Sequence, residues 1–159
     1  MPKLTGLSGT IKVTDAATTY RDIGSDITNY SFSTPRGLED VTGMNKFANE
    51  RLLLLTDFTV TFNGILDNDP NMSHSVFSTV TGTSVTRSVS IAPTSVATTP
   101  IITTNCLITD YQMTRSANAD ITWQVPASLA DGNVPTWALF LHGLRDALPR
   151  GQDKRVPGQ

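Results

Sequence analysis

The sequence predicts a mainly β domain, and three observations carry that reading. About two dozen of the 159 residues are threonine and about a dozen are serine, whereas Glu39 and Glu50 are the only glutamates. β-branched threonine suits a pleated, half-exposed strand, and helical domains are usually rich in Glu, Lys, Ala and Leu. Several stretches alternate apolar and polar residues with the period of a half-buried strand. Pro, Gly, Asn and Asp punctuate those stretches, as turns require.

The elements follow in order. Thr10 to Thr14 sets Ile11 and Val13 against Lys12 and Thr14 and reads as a strand. A second strand covers Ile27 to Ser33, with Tyr30 and Phe32 on one face and Asn29, Ser31 and Ser33 on the other. Pro35-Arg36-Gly37 breaks that pattern, and the weakly periodic residues up to Asn49 read as a loop, so about 35–55 is expected to be one long connection. Asp57 to Ile65 is the clearest central strand, with Phe58, Val60 and Phe62 facing one side and Asp57, Thr59, Thr61 and Asn63 the other. A short helix is expected over about 70–80. Asp69 would cap it, Pro70 would open it, Met72, Val76, Phe77 and Val80 would fall on one face, and Gly82 would end it. Ser84 to Ile91 alternates again.

Ile101 to Val125 holds the most informative pattern. Asp110, Gln112 and Thr114 form a polar row opposite Tyr111 and Met113; Asp120, Thr122 and Gln124 form another opposite Ile121, Trp123 and Val125. Matching faces fixes the parity of pairing. A three-residue loop at Ser116 to Asn118 would pair Thr114 with Asp120, Gln112 with Thr122, Asp110 with Gln124 and Tyr111 with Trp123. The result is a hairpin with one apolar and one wholly polar face, as when one side packs on a core and the other meets water. Pro126 should end that strand, Ala130 to Asn133 should turn, and Trp137 to Leu141 should form a last strand. Residues 1–142 thus read as one β domain and 143–159 as a charged C-terminal extension.

Composition limits the function. Net charge is −2, which argues against a protein that works by neutralising phosphates. Arg145, Arg150, Lys154 and Arg155 against Asp146 and Asp153 give the extension +2, leaving −4 for the rest. Cys106 is the only cysteine, so no intramolecular disulfide can form. The start of the chain lacks the apolar run of a signal peptide, and Leu52 to Leu55 is far too short to span a bilayer. A cytoplasmic site of synthesis and no membrane partner are expected.

No catalytic constellation is expected. His74 and His142 are the only histidines and neither belongs to a metal-ligand pair, so no metal or cofactor is implied. Ser8 misses a nucleophile elbow by spacing, and Cys106 reads as a small core residue. Asp67, Asp69 and Asn71 have calcium-loop spacing, but Met72 and Ser78 stand where Gly and Glu belong. Glu39 and Glu50 flank a loop with no aromatic cleft nearby, so a glycosidase pair is unsupported.

Three stretches together resemble a known family. Asp40-Val41-Thr42-Gly43-Met44 runs through Glu50-Arg51-Leu52 into Asp57 to Gly64. Ser73-His74 opens a helix leading to Thr86-Arg87-Ser88-Val89. Thr109-Asp110-Tyr111 leads to Leu129 to Trp137. This layout, over most of residues 5–140, is similar to the tail tube (major tail) proteins of long-tailed bacteriophages. The resemblance implies an antiparallel β-sandwich or half-barrel with one short flanking helix. It implies a virion protein in hexameric rings whose inner sheets join into a barrel, stacked as a conduit for DNA ejection. Its partners would be further copies of itself, other tail proteins (terminator, distal tail and tape measure) and passing double-stranded DNA held without specific binding. A bore that lets DNA slide should be polar and not basic, and the row Asp110, Gln112, Thr114, Asp120, Thr122 and Gln124 is the candidate lining. Leu38, Glu39, Met44, Lys46, Phe47, Glu50 and Arg51, with Arg145, Arg150 and Arg155 of the extension, are candidates for contacts between subunits or rings. The alternative is a non-enzymatic β-sandwich binding module, such as a capsid decoration or receptor-binding domain. An aromatic patch would mark it, but Tyr20, Tyr30, Trp123 and Trp137 sit in apolar strand patterns.

Overall fold

A computed structural model of the chain describes residues 9–94 and 99–139. Eleven strands, one α-helix and one 3-10 turn follow in the order β1 (Thr10–Thr14), β2 (Tyr20–Asp22), β3 (Ile27–Ser33), β4 (Arg36–Asp40), β5 (Arg51–Thr56), β6 (Thr59–Ile65), α1 (Ser73–Phe77), η1 (Val80–Gly82), β7 (Arg87–Ala92), β8 (Pro100–Ile108), β9 (Gln112–Thr114), β10 (Thr122–Leu129) and β11 (Thr136–Leu139). Nine strands form one antiparallel sheet in the order β2-β1-β7-β8-β10-β6-β3, with β11 beside β8 and β9 beside β10. The mainly β class with one short helix therefore holds. Among the described residues the main layer is this single sheet, so half-barrel describes it better than sandwich.

Alternation builds the core. Ile11 and Val13 of β1, Val60 and Phe62 of β6, Val89 and Ile91 of β7, Ile102 and Cys106 of β8, and Trp123, Val125 and Ala127 of β10 are buried together with Phe58. Val76 and Phe77 of α1 close over this face, and the Phe77 ring meets Trp123 at 5.3 Å between centroids. Gly64 must lack a side chain, because a Cβ there would strike the Asp26 carbonyl oxygen and the Trp123 ring. Trp123 uses that space to donate its indole N–H to the Ile65 carbonyl at 2.8 Å. Among the described residues one cation joins the core: Arg87 is 1% exposed and donates to the Thr14 carbonyl (3.1 Å) and the Thr79 hydroxyl (2.9 Å), tying β1 to the turn after α1.

Five local expectations are corrected. Residues 35–55 are a hairpin arm, β4 paired with β5 in register Leu38↔Leu53, Glu39↔Leu52 and Asp40↔Arg51, and it forms its own two-stranded sheet. The helix is shorter than 70–80, because Asn71 takes a left-handed backbone (φ 70°) that interrupts any helix begun at Pro70. Asp69 is not its cap; Met72 stands there without a side-chain bond, and the buried Asp26 carboxylate reaches in to accept the Ser73 N–H at 2.9 Å.

Pro126 does not end β10. β8 leaves the β10 edge at Ala127↔Ile108, and β9 rejoins it at Gln124↔Gln112, so the register slips by one between them. Pro126 lies at that bulge, where a missing N–H is tolerated. The hairpin register is also revised. Thr114 pairs with Thr122, Met113 with Trp123 and Gln112 with Gln124, so residues 115–121 form the connection and each partner lies two positions beyond the expected one. A shift of two keeps polar residues opposite polar ones.

Candidate functional site: a neutral sheet face and an apolar arm

The side of the sheet away from the core is built from the polar halves of the alternating strands. Asn29, Ser31 and Ser33 of β3 lie beside Asn63, Thr61 and Thr59 of β6. These lie beside Gln124, Pro126 and Ser128 of β10, with Thr122 opposite Ile65. Gln112 and Thr114 of β9 complete the row. Across these four strands the face holds no charged strand residue. Asn63 Nδ2 donates to Asn29 Oδ1 at 2.6 Å, amide to amide, and Gln112 Nε2 donates to the carboxylate Oδ2 of Asp110 at 2.7 Å.

Of the six candidate lining residues, Gln112, Thr114, Thr122 and Gln124 come together here, and Asp110 stands just before β9 bonded to Gln112. Asp120 lies in the exposed 115–121 connection, off the ladder. Asn29, Ser31, Thr59, Thr61 and Asn63 share the face but were not among those candidates. Their alternation with Tyr30, Phe32, Val60 and Phe62 was a readable signal; that β3 and β6 lie beside β10 was not.

The second feature is the arm. The Pro35 carbonyl accepts the Asp57 N–H at 2.8 Å at its base, and Arg36 Nε donates to the Leu54 carbonyl at 3.1 Å. Near the tip the Thr42 hydroxyl and N–H both donate to the Asp40 carboxylate, which holds that carboxyl below its ordinary range. Its surface is apolar on both sides. Leu38 and Leu53 share one face, Leu52 and Leu54 belong to the other, and Leu55 is 91% exposed. Met44 and Phe47 at the tip are fully exposed. A strand buried on both faces reads as a continuous apolar run; β5 has that run and is covered on neither face. Contiguous exposed apolar surface of this kind marks an interaction site.

The candidate contact residues Leu38, Glu39, Met44, Lys46, Phe47, Glu50 and Arg51 all lie exposed on this arm, with Lys46 Nζ 3.7 Å from the Glu50 carboxylate. Arg145, Arg150 and Arg155 lie outside the described residues, as does the whole 143–159 extension. Leu52 to Leu55 were missing from that set although the run is plain in the sequence.

The residues weighed for chemistry have other roles. Burial, with a smaller contribution from Asp131, pushes the Cys106 thiol up to about 12, so it stays protonated near neutral pH and packs. His74 Nδ1 lies 3.2 Å from the Tyr111 hydroxyl, and burial raises the Tyr111 pKa. The Asp67 carboxylate accepts the Asp69 N–H at 2.8 Å in a local turn. Among the described residues no group of three or more His, Cys, Asp or Glu side chains could hold a metal ion, and no helix is long and apolar enough to cross a membrane.

No family model matches the chain, and no curated protein sequence does. Solved structures do. A chain from the tail of an empty gene transfer agent particle, refined with C6 symmetry, aligns at a TM-score of 0.69 and 13% identity over 86% of this chain and 99% of its own. A chain from the native gene transfer agent virion aligns at 0.67 and 14% over 86% and 99%. A chain from the SPP1 tail tube aligns at 0.69 and 8% over 99% of this chain and 94% of its own. At these identities the likeness is one of fold, and the fold implied by the sequence resemblance is the one found.

Proposed function

We propose that the chain is the structural subunit of a phage-type tail tube. Copies close into six-fold rings, the rings stack, and the neutral face lines a bore through which double-stranded DNA passes during ejection. The observation that carries this reading is the four-strand face, polar except at Ile65 and Pro126 and free of basic strand residues. Each Lys or Arg placed against a phosphate would add a contact to be broken as DNA moves, so a conduit works best without them. A second support is the fold shared with chains of the gene transfer agent tail and the SPP1 tail tube.

In this reading the protein is made in the host cytoplasm, ends in the virion tail and performs no catalysis. The arm reaches a neighbouring copy, which covers Leu52 to Leu55 and the tip residues Met44 and Phe47. Terminator, distal tail and tape measure proteins are the further partners, at the ends and inside the tube. The arginines of the 143–159 extension are proposed to join the contacts between copies.

Negative-stain electron microscopy of the purified protein at low and high concentration tests the proposal. Rings or tubes with a central hole are expected. Compact particles that never assemble, even when concentrated, would contradict it and favour a binding module on the capsid or at the tail tip.

A further inference from the structure

β8 changes partners along one edge. Cys106 pairs with Leu129 of β10, and Thr103 pairs with Thr136 of β11. Between those two pairs β8 has only Thr104 and Asn105, whereas the facing segment has residues 130–135. That segment is too long to lie flat against two residues, so it bulges out of the sheet. Its ends are fastened: the Ala130 N–H donates to the Asn105 carbonyl at 2.9 Å, and Pro135 is buried. Gly132, at φ 70°, makes the turn between them. Beside the bulge lies a hollow of about 220 Å³, lined by residues 103–105 of β8 and by Asp131, Asn133, Val134 and Thr136.

The bulge sets a carboxylate on the lining of that hollow and holds it still. Asp131 Oδ1 accepts the Asn133 N–H at 3.0 Å, and Oδ2 accepts a proton from Asn105 Nδ2 at 2.8 Å. Asn105 is itself fixed, because its Oδ1 accepts the Ser88 hydroxyl of β7 at 2.6 Å. The Asn133 side chain first, then Asn105 and the Asn133 N–H, hold the Asp131 carboxyl below its ordinary range, so it is charged near neutral pH. Neither ion pair among the described residues reaches it. β7, β8 and the bulge thus position one unneutralised carboxylate in a hollow that the four-strand face does not use.

The lining selects the ligand class. A guanidinium or ammonium group only donates, so it could use the carboxylate but not the donors beside it. A calcium ion asks for roughly six to eight oxygens, and among the described residues no cluster of acidic side chains stands here. Asp131 repels an anion. Sugar hydroxyls both donate and accept, which matches a carboxylate set among the Thr103 and Thr136 hydroxyls and the Asn133 amide. The exposed Val134 offers an apolar contact to the C–H face of a ring. The volume suits one ring and falls below that of pockets for larger ligands.

We propose that this hollow binds one neutral sugar ring, whose hydroxyls donate to the Asp131 carboxylate. The site is separate from the tube reading and stands whether or not copies assemble.

Amide NMR spectra of the unassembled, isotope-labelled full chain test it, with glucose, galactose, mannose or N-acetylglucosamine added to tens of millimolar. At least one sugar is expected to shift the Gly132 and Asn133 amides along a saturating curve with a millimolar Kd. Asp131→Asn should weaken that binding about tenfold, the loss expected for a hydrogen bond to a charged group. Asp131 also pins the bulge, so Thr103→Val supplies an independent arm: it removes a hydroxyl with no partner in the fold, and should weaken binding severalfold while the unfolding midpoint stays unchanged. Gln124→Ala, on the four-strand face, should leave binding as it was. No shift at those amides with any of the sugars would overturn the proposal. So would an equal loss of binding in Gln124→Ala, or shifts at the same amides with calcium chloride or arginine when no sugar produces them.

Discussion

The body and the arm use the same residues in opposite ways. In β6, Val60 and Phe62 are buried while Thr59 is exposed, so the strand's alternation is answered by a core. In β5, Leu52, Leu53, Leu54 and Leu55 follow one another and every one is exposed. Burying one such leucine is worth about 1.5–3 kcal/mol, so the body's folding gains nothing from four residues that another copy could use. In the proposed tube, stability of the subunit and stability of the assembly are thus assigned to separate segments.

Truncations on the two sides should sharpen that separation. Phe62→Ala in the body is expected to cost roughly 3–5 kcal/mol in denaturant unfolding. Leu53→Ala in the arm should move monomer stability by less than about 0.5 kcal/mol yet weaken tube formation in sedimentation. A large folding defect from Leu53→Ala would break the comparison. Removing residues 37–49 should likewise abolish tubes while near-ultraviolet circular dichroism and the unfolding midpoint stay close to those of the full chain. Tubes that survive the deletion would remove the arm from the interface.

Smaller effects probe the body itself. Gly64→Ala forces a Cβ against the Asp26 carbonyl and Trp123, and should cost about 1–3 kcal/mol by overpacking. The Asp15 carboxyl is held below its ordinary value of 3.8 by the Thr19 N–H first, then by Arg21 and the Ala17 N–H, with desolvation opposing them. A lowered folded-state pKa stabilises the fold above the unfolded value and is lost as pH falls through the folded one. Stability should therefore drop as pH goes below about 3.8, and Asp15→Asn should flatten that acid limb. An unchanged pH profile in Asp15→Asn would show that the carboxylate contributes nothing measurable.

What could be read in the sequence follows the same division. β1 and β3 were legible to the residue and β6 nearly so, because one face of each meets the core and enforces alternation. β4 and β5 were not: with no core on either side, nothing in the monomer imposes a period, and the arm passed for a loop. β2 is too short to show a period. The polar face was half legible. Parity placed Gln112, Thr114, Thr122 and Gln124 together, but the small, polar residues of 115–121 do not specify a loop length, so the register lay two positions off and Asp120 fell outside. Asp26, which caps α1 from 47 residues away, leaves no local mark, whereas Asp69 carries the local pattern of a cap without being one.

A cryo-electron microscopy reconstruction of tubes grown from the purified chain would test the central claim most directly. The account predicts a bore lined by Asn63, Gln112, Thr114, Thr122 and Gln124, with the arm of each subunit packed against a neighbour. Tubes whose outer surface carries those residues, or whose bore is lined by Lys and Arg, would contradict it.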